Sequence, residues 1–204
     1  MIVIIDYGLG NIQAFLNVYR RLNISVSIAR NADELTGATR IILPGVGAFD
    51  NAMKLLQKSG MREVLDDLVL NRGVPVIGVC VGMQIMAEHS EEGLLPGLGW
   101  IKASVRKLRG LKATPALQLP HMGWNDIVPL ASSGLFSGLE HDARFYFLHS
   151  YYFDCESSAT ALAETDYGIR FVSAVQSRNI YGVQFHPEKS HQYGIRLLQN
   201  FTEV

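Results

Sequence analysis

The chain has 204 residues, 48% of them apolar, and a formal net charge of −1. That size suits one domain with a sizeable core, and the near-neutral charge leaves no electrostatic footprint for nucleic acid or an anionic membrane surface. No apolar run reaches the roughly 18 residues a membrane span needs and no secretory leader pattern opens the sequence, so a cytoplasmic protein is expected. The first half alternates strand and helix patterns: a strand over Ile2 to Asp6, a helix over Asn11 to Leu22, and strands at Ser25 to Ala29 and Ile41 to Leu43. Helices over Ala48 to Gln57 and Met61 to Leu70 follow, then a β-branched strand ending at Cys80 and a helical pattern from Val81 to His89. Such alternation predicts a parallel α/β sheet. The second half is richer in short extended segments, at Trp100 to Leu108, Phe145 to Leu148, Phe171 to Val175 and Ile180 to Phe185, before a closing helix over Ser190 to Phe201. The expected architecture is therefore a three-layer α/β domain over residues 1–204, with a mostly parallel central sheet, an antiparallel extension and flanking helices. Gly8-Leu9-Gly10 after the first strand invites a dinucleotide-binding reading, but Gln13 stands where the third glycine belongs, so a backbone turn or a partner contact explains it better.

The run Val76-Ile77-Gly78-Val79-Cys80-Val81-Gly82-Met83-Gln84 carries the chemistry. A strand that turns directly into a helix crowds the backbone of the residue between them, and glycines two positions to each side relieve that crowding. This is the layout of a nucleophile elbow with Cys at its apex. The helix that follows aims its N-terminus at the sulfur, where unpaired N–H groups favour a thiolate. A free cysteine is also commonly just a buried core residue; the double glycine frame favours the elbow.

A thiolate needs a proton partner, and Phe185-His186-Pro187-Glu188 supplies one at the end of a short strand. Pro187 biases His186 toward extended backbone, in which residues two apart project to one side, so Glu188 is expected to reach the His186 ring and fix its tautomer. A surface turn with solvated His and Glu is the plainer alternative. Acyl chemistry also needs donors for a developing oxyanion. The turn Pro44-Gly45-Val46-Gly47 between strand and helix offers the Val46 amide, and the residue after the nucleophile offers the Val81 amide. No Cys-x-x-Cys or closely spaced His pair is present, so neither a metal site nor any other cofactor is expected, and Cys155 is read as a free thiol.

Taken together, the Cys80 elbow and His186-Pro187-Glu188 resemble a class I (triad) glutamine amidotransferase. Pro44-Gly45-Val46-Gly47-Ala48-Phe49, Pro120-His121-Met122-Gly123-Trp124-Asn125, His149-Ser150-Tyr151 and His186-Pro187-Glu188-Lys189-Ser190 are similar to those of glutaminase subunits of imidazole glycerol phosphate synthases. The likeness runs from Met1-Ile2-Val3-Ile4-Ile5-Asp6-Tyr7-Gly8 to Leu197-Leu198-Gln199-Asn200-Phe201. The resemblance implies the three-layer fold of that class and assigns Cys80 as nucleophile, His186 as general base and acid, and Glu188 as the group orienting it. It implies that Gly47, Gln84, Glu92, His149, Ser150 and Tyr151 hold glutamine, with the Val46 and Val81 amides forming the oxyanion hole. Asn11, Met122, Trp124, Tyr146 and Lys189 match positions that face a partner and guard an ammonia route, although Met122 and Trp124 would also suit a core. The implied partner is a (β/α)₈-barrel cyclase that receives the ammonia, and the Gly45-Val46-Gly47 peptide is a plausible switch controlled by it. Two rival readings remain open at this stage. One is a paralogous glutaminase feeding a sugar-modifying synthase of surface polysaccharides; the other is a catalytically silent α/β binding module.

Overall fold

The computed structural model describes residues 1–109 and 118–204. Four buried apolar residues in a row make β1 (Ile2–Ile5), the continuous pattern of a strand covered on both faces. It pairs in parallel with β2 (Val26–Ala29) and β3 (Arg40–Gly45), and β3 continues the parallel ladder to β4 (Val76–Cys80), with Leu43 opposite Gly78 and Gly45 opposite Cys80. On the far side of β4 lies β13 (Ile180–Val183), also parallel, with Gly182 opposite Gly78. Beyond β13 the sheet turns antiparallel through β12 (Arg170–Ser177), β10 (Tyr151–Cys155) and β6 (Ala103–Lys107), with β5 (His89–Ser90) parallel to β6 at the edge. β11 (Ala161–Asp166) branches from β12 and carries the short β8 (Val128–Pro129). A separate ribbon joins β7 (His121–Asp126) to β9 (Arg144–His149). The three-layer reading, with its parallel core and antiparallel extension, is what the structure has.

Helices α1 (Ile12–Arg21), α2 (Phe49–Lys58), the short α3 (Arg62–Asp66) and α5 (His191–Asn200) pack on the sheet. In α2, Phe49, Ala52, Met53 and Leu56 are buried at the i, i+3, i+4, i+7 spacing of one helical face. Residue Asn11 caps α1 by accepting a bond from the Ala14 amide at 3.1 Å. A Cβ at Gly194 would collide with the Pro187 carbonyl, so this glycine allows α5 to press against the turn that follows His186.

One predicted element is much shorter than expected. The helix after Cys80, α4, covers only Val81–Gln84 instead of reaching His89. The backbone of residues 97–101 takes the carbonyls a longer helix would use: Leu98 donates to Ile85, Ile101 to Met86 and Gly99 to Ala87. Glu88 then donates to Ala103, which leads the chain into β5. Likewise the extended segment predicted for 100–108 is a strand only over β6, because Trp100 turns inward and its indole donates to Asp66 at 2.6 Å.

Candidate active site

The carboxyl ends of β3, β4 and β13 meet at Cys80, the position where open α/β sheets commonly bind ligands. Cys80 has φ +55° and ψ −113°, a left-handed conformation for a residue with a side chain, so the elbow is strained. Packing holds it there. A Cβ on Gly82 would strike the Leu43 carbonyl, one on Gly78 would strike Gly82 and Met83, and one on Gly45 would strike the Gly82 amide. The glycine frame is thus a condition for strands β3 and β4 to approach α4. Tyr7, buried beside this crossing, donates to the Pro44 carbonyl at 2.8 Å and fixes the start of the Pro44-Gly45-Val46-Gly47 turn.

His186 is buried, and its Nδ1 lies 2.8 Å from Glu188 Oε1. Burial alone would lower its pKa; hydrogen bonds to the Cys80 sulfur and the Glu188 carboxylate, with their negative charge, outweigh that and raise it well above the ordinary imidazole value. The expected His–Glu contact is present, but the backbone route differs from the extended one predicted. Pro187–Lys189 forms a single 3₁₀ turn, and the turn rather than an extended chain brings the carboxylate back to the ring. The His186 amide donates to the Tyr146 carbonyl at 2.8 Å, and Ser190 Oγ donates to the His186 carbonyl at 2.6 Å. Both ends of the residue are pinned.

Around these two side chains lies a cavity of about 280 Å³, near the lower end of small-molecule sites. Val46, Gly47, Cys80, Val81, Gln84 and Glu92 line it together with His149, Ser150, Tyr151 and His186. Every residue predicted to hold glutamine or its oxyanion borders this one space. Pro120 and Leu148 border it too, and sequence reasoning missed both. The Glu92 carboxylate accepts from the Phe49 amide at 2.9 Å, so it caps α2 at its positive end while facing the cavity. The reciprocal contact was also missed: Asp50, in the first turn of α2, accepts from the Leu94 and Leu95 amides at 3.0–3.1 Å. Those backbone bonds hold its carboxyl below the usual carboxylate range. Asp50 and Glu92 together lock the 92–95 loop to α2.

The wall at His149 rests on a buried chain of imidazoles. His149 Nδ1 lies 2.8 Å from the Tyr151 carbonyl, which only accepts, so that nitrogen carries the proton. His149 Nε2 must then accept from His121 Nδ1 at 3.0 Å, and His121 Nε2 from the Asn125 amide at 3.2 Å. His121 is sandwiched between Phe147 and Tyr167. Burial pushes His121 down to about 4 and His149 to about 3, the latter helped by the charge of its neighbours His121 and His186. Both are neutral and fully bonded at neutral pH.

The residues predicted to face a partner lie on the outer face of the β7–β9 ribbon and beside it. Met122 is 64% exposed and Trp124 40%, which excludes the core alternative for both. Trp124 stacks on His191 with ring centres 5.3 Å apart, and Lys189 Nζ sits 5.7 Å from the Tyr146 ring centre. Asn11 is exposed and caps α1 through its side-chain oxygen.

The sequence pattern of the family Glutamine amidotransferase class-I matches residues 3–204. The chain belongs to the class-I glutamine amidotransferases. Among curated members it is 61% identical to the imidazole glycerol phosphate synthase subunit HisH of Bdellovibrio bacteriovorus and 49% identical to that of Leptospira interrogans. Both alignments run over 204 residues and cover 100% of each chain. Two solved structures share the fold: a glutamine amidotransferase at TM-score 0.75 and 21% identity, covering 98% of this chain and 97% of its own, and one from Thermotoga maritima at 0.64 and 17%, covering 99% and 82%. Among the described residues no helix is long and apolar enough to cross a membrane.

Proposed function

We propose that this amidotransferase is the glutaminase subunit of an imidazole glycerol phosphate synthase, a single domain over residues 1–204 working in the cytoplasm. It hydrolyses glutamine to glutamate and passes ammonia to a (β/α)₈-barrel cyclase subunit, which uses it to form imidazole glycerol phosphate and an aminoimidazole carboxamide ribotide in histidine biosynthesis. The observation that carries the chemistry is the shared cavity, lined by both Cys80 and His186, with Glu188 bonded to the His186 ring.

In the reaction the Cys80 thiol gives its proton to His186 and the sulfur attacks the side-chain carboxamide carbon of glutamine. The Val46 and Val81 amides receive the oxyanion. His186 protonates the departing nitrogen, leaving a thioester and ammonia; it then takes a proton from water, whose oxygen attacks the thioester, and returns it to sulfur as glutamate leaves. Glu188 holds the imidazole in the tautomer that presents Nε2 to these atoms. Gly47, Gln84, Glu92, His149, Ser150 and Tyr151 orient the amino-acid end. His149 contributes through its main chain and bulk, since both ring nitrogens are already bonded within the protein.

Free ammonia is protonated in water, so a docked acceptor has to receive it directly. The exposed apolar side chains Met122 and Trp124, with half-buried Tyr146 next to Trp124 and Lys189 over the Tyr146 ring, support a protein partner on that face. The Gly45-Val46-Gly47 turn, with Gly47 at φ +91°, is suited to reorienting the Val46 amide when that partner binds. A glutamine analogue bearing an electrophilic diazoketone in place of the carboxamide tests the site. Mass spectrometry should find it on Cys80 alone, with glutamine protecting; labelling elsewhere, or none, would refute the assignment.

A further inference from the structure

Gln184 plays no part in the mechanism above, yet it is completely buried two residues before His186. A primary amide in such a place has to find partners. Its Oε1 accepts from Gln84 Nε2 at 3.0 Å, and its Nε2 lies 3.7 Å from the Cys80 sulfur. Chemistry forces this orientation. Gln84 Nε2 also donates to the Tyr151 carbonyl at 3.1 Å, and a carbonyl can only accept, so Gln84 must present its amide hydrogens there. The same hydrogens meet Gln184, which answers with its own oxygen and leaves its nitrogen facing sulfur. Gln84 thus donates both ways, to the Tyr151 carbonyl at the cavity wall and to Gln184, and Gln184 in turn donates to sulfur.

We infer that Gln184 is a further catalytic residue of this site: its side-chain amide, buried and outside the cavity lining, donates to the Cys80 sulfur and steadies the thiolate. The inference rests on Cys80 being the nucleophile, as proposed above. In the thiol form the sulfur's own hydrogen has the Leu148 carbonyl within reach, 3.8 Å away. When that hydrogen leaves for His186, the Leu148 oxygen offers the sulfur nothing. The Gln184 hydrogen remains, and hydrogen bonds to charged atoms are roughly twice as strong as neutral ones. Position matters as much as strength. The backbone of Gln184, one residue past the end of β13, donates to Ser173 of β12 at 2.9 Å, which anchors the residue to the sheet at the edge of the site.

Gln184→Met, close in volume but without a donor, tests this. Iodoacetamide should alkylate Cys80 at pH 7 about tenfold more slowly, read by mass spectrometry of the Cys80 peptide, and kcat for glutamine hydrolysis with the activating partner should fall by roughly tenfold to a hundredfold. KM should move much less. Wild-type alkylation and kcat in a folded variant would overturn the inference. Should Gln184→Met not fold, side-chain amide NMR of the otherwise native chain decides. One Gln184 proton should shift on Cys80→Ala, and an unmoved pair would overturn it. The proposed function is tested separately, because loss of activity in Cys80→Ala with full activity in Gln184→Met would sink only the role of Gln184.

Discussion

The elbow and the β7–β9 ribbon meet at one cavity but are built on opposite terms. Cys80 itself is buried, glycine-framed and backed by parallel strands whose backbone admits no added carbon at Gly45, Gly78 or Gly82. The ribbon has one buried face, Phe145, Phe147 and His149, and one open face, Met122, Trp124, Tyr146 and Leu148. Its main chain nevertheless touches the chemistry: the Tyr146 carbonyl accepts from the His186 amide, and the Leu148 carbonyl faces the Cys80 sulfur. The contrast teaches that the reacting groups are fixed by packing, whereas the ribbon reaches them only through its main chain and leaves an apolar face open. Were the proposed partner to dock on Met122 and Trp124, it would press on β7, the strand paired with β9, whose Tyr146 and Leu148 carbonyls touch the site.

The largest effect is expected at the apex. Cys80→Ala should reduce glutamine-dependent turnover by at least about a thousandfold while cyclase activity supplied with ammonia persists. Glutamine-dependent turnover surviving that change would remove the elbow from the chemistry. Gly82→Ala tests the frame rather than the sulfur. A methyl driven into the Leu43 carbonyl should cost about 3 kcal/mol or more, read as a lowered urea midpoint; an unchanged midpoint would show that β3 and α4 need no such contact.

The third prediction concerns the seam between the two regions, where His121 and His149 lie. Their folded pKa values, about 4 and 3, lie below the unfolded value near 6.5, so unfolding takes up protons as the pH falls below about 6.5. His186 has the opposite sign: its contribution is full below about 6.5 and is lost as pH rises toward its elevated value. Stability should therefore peak near pH 6.5 and fall by roughly 2 kcal/mol between pH 6.5 and 5.5, measured by denaturant titration. A flat profile over that unit would mean the imidazole chain is not buried neutral. The smallest effect belongs to the open face. Trp124→Ala should raise the cyclase concentration needed for half-maximal stimulation by about tenfold, as loss of an aromatic anchor does. No change would move the docking surface elsewhere.

Much of this was legible in the sequence because it rests on local rules. Gly78, Gly82 and Cys80 announce a strand-to-helix elbow, and continuous apolar runs such as Ile2–Ile5 announce buried parallel strands. The strands at 121–126, 151–155 and 161–166 were not foreseen, since short antiparallel segments rich in polar and aromatic residues carry weak periodicity. The early end of α4 was invisible for another reason: the groups that stop it come from residues 97–101. Gln184, Asp50 and His121 act through partners far away in sequence, and no local pattern names such roles. By contrast, Glu92 was found only through family resemblance, and its capping of α2 explains why a carboxylate is held there.

The most direct measurement is glutamate release from glutamine by the purified chain, alone and with the histidine-pathway cyclase of the same organism plus its phosphoribulosyl ligand. The account predicts near silence alone and a large rise only with cyclase and ligand together. Substantial hydrolysis by the isolated chain, or no rise with a competent cyclase, would contradict it.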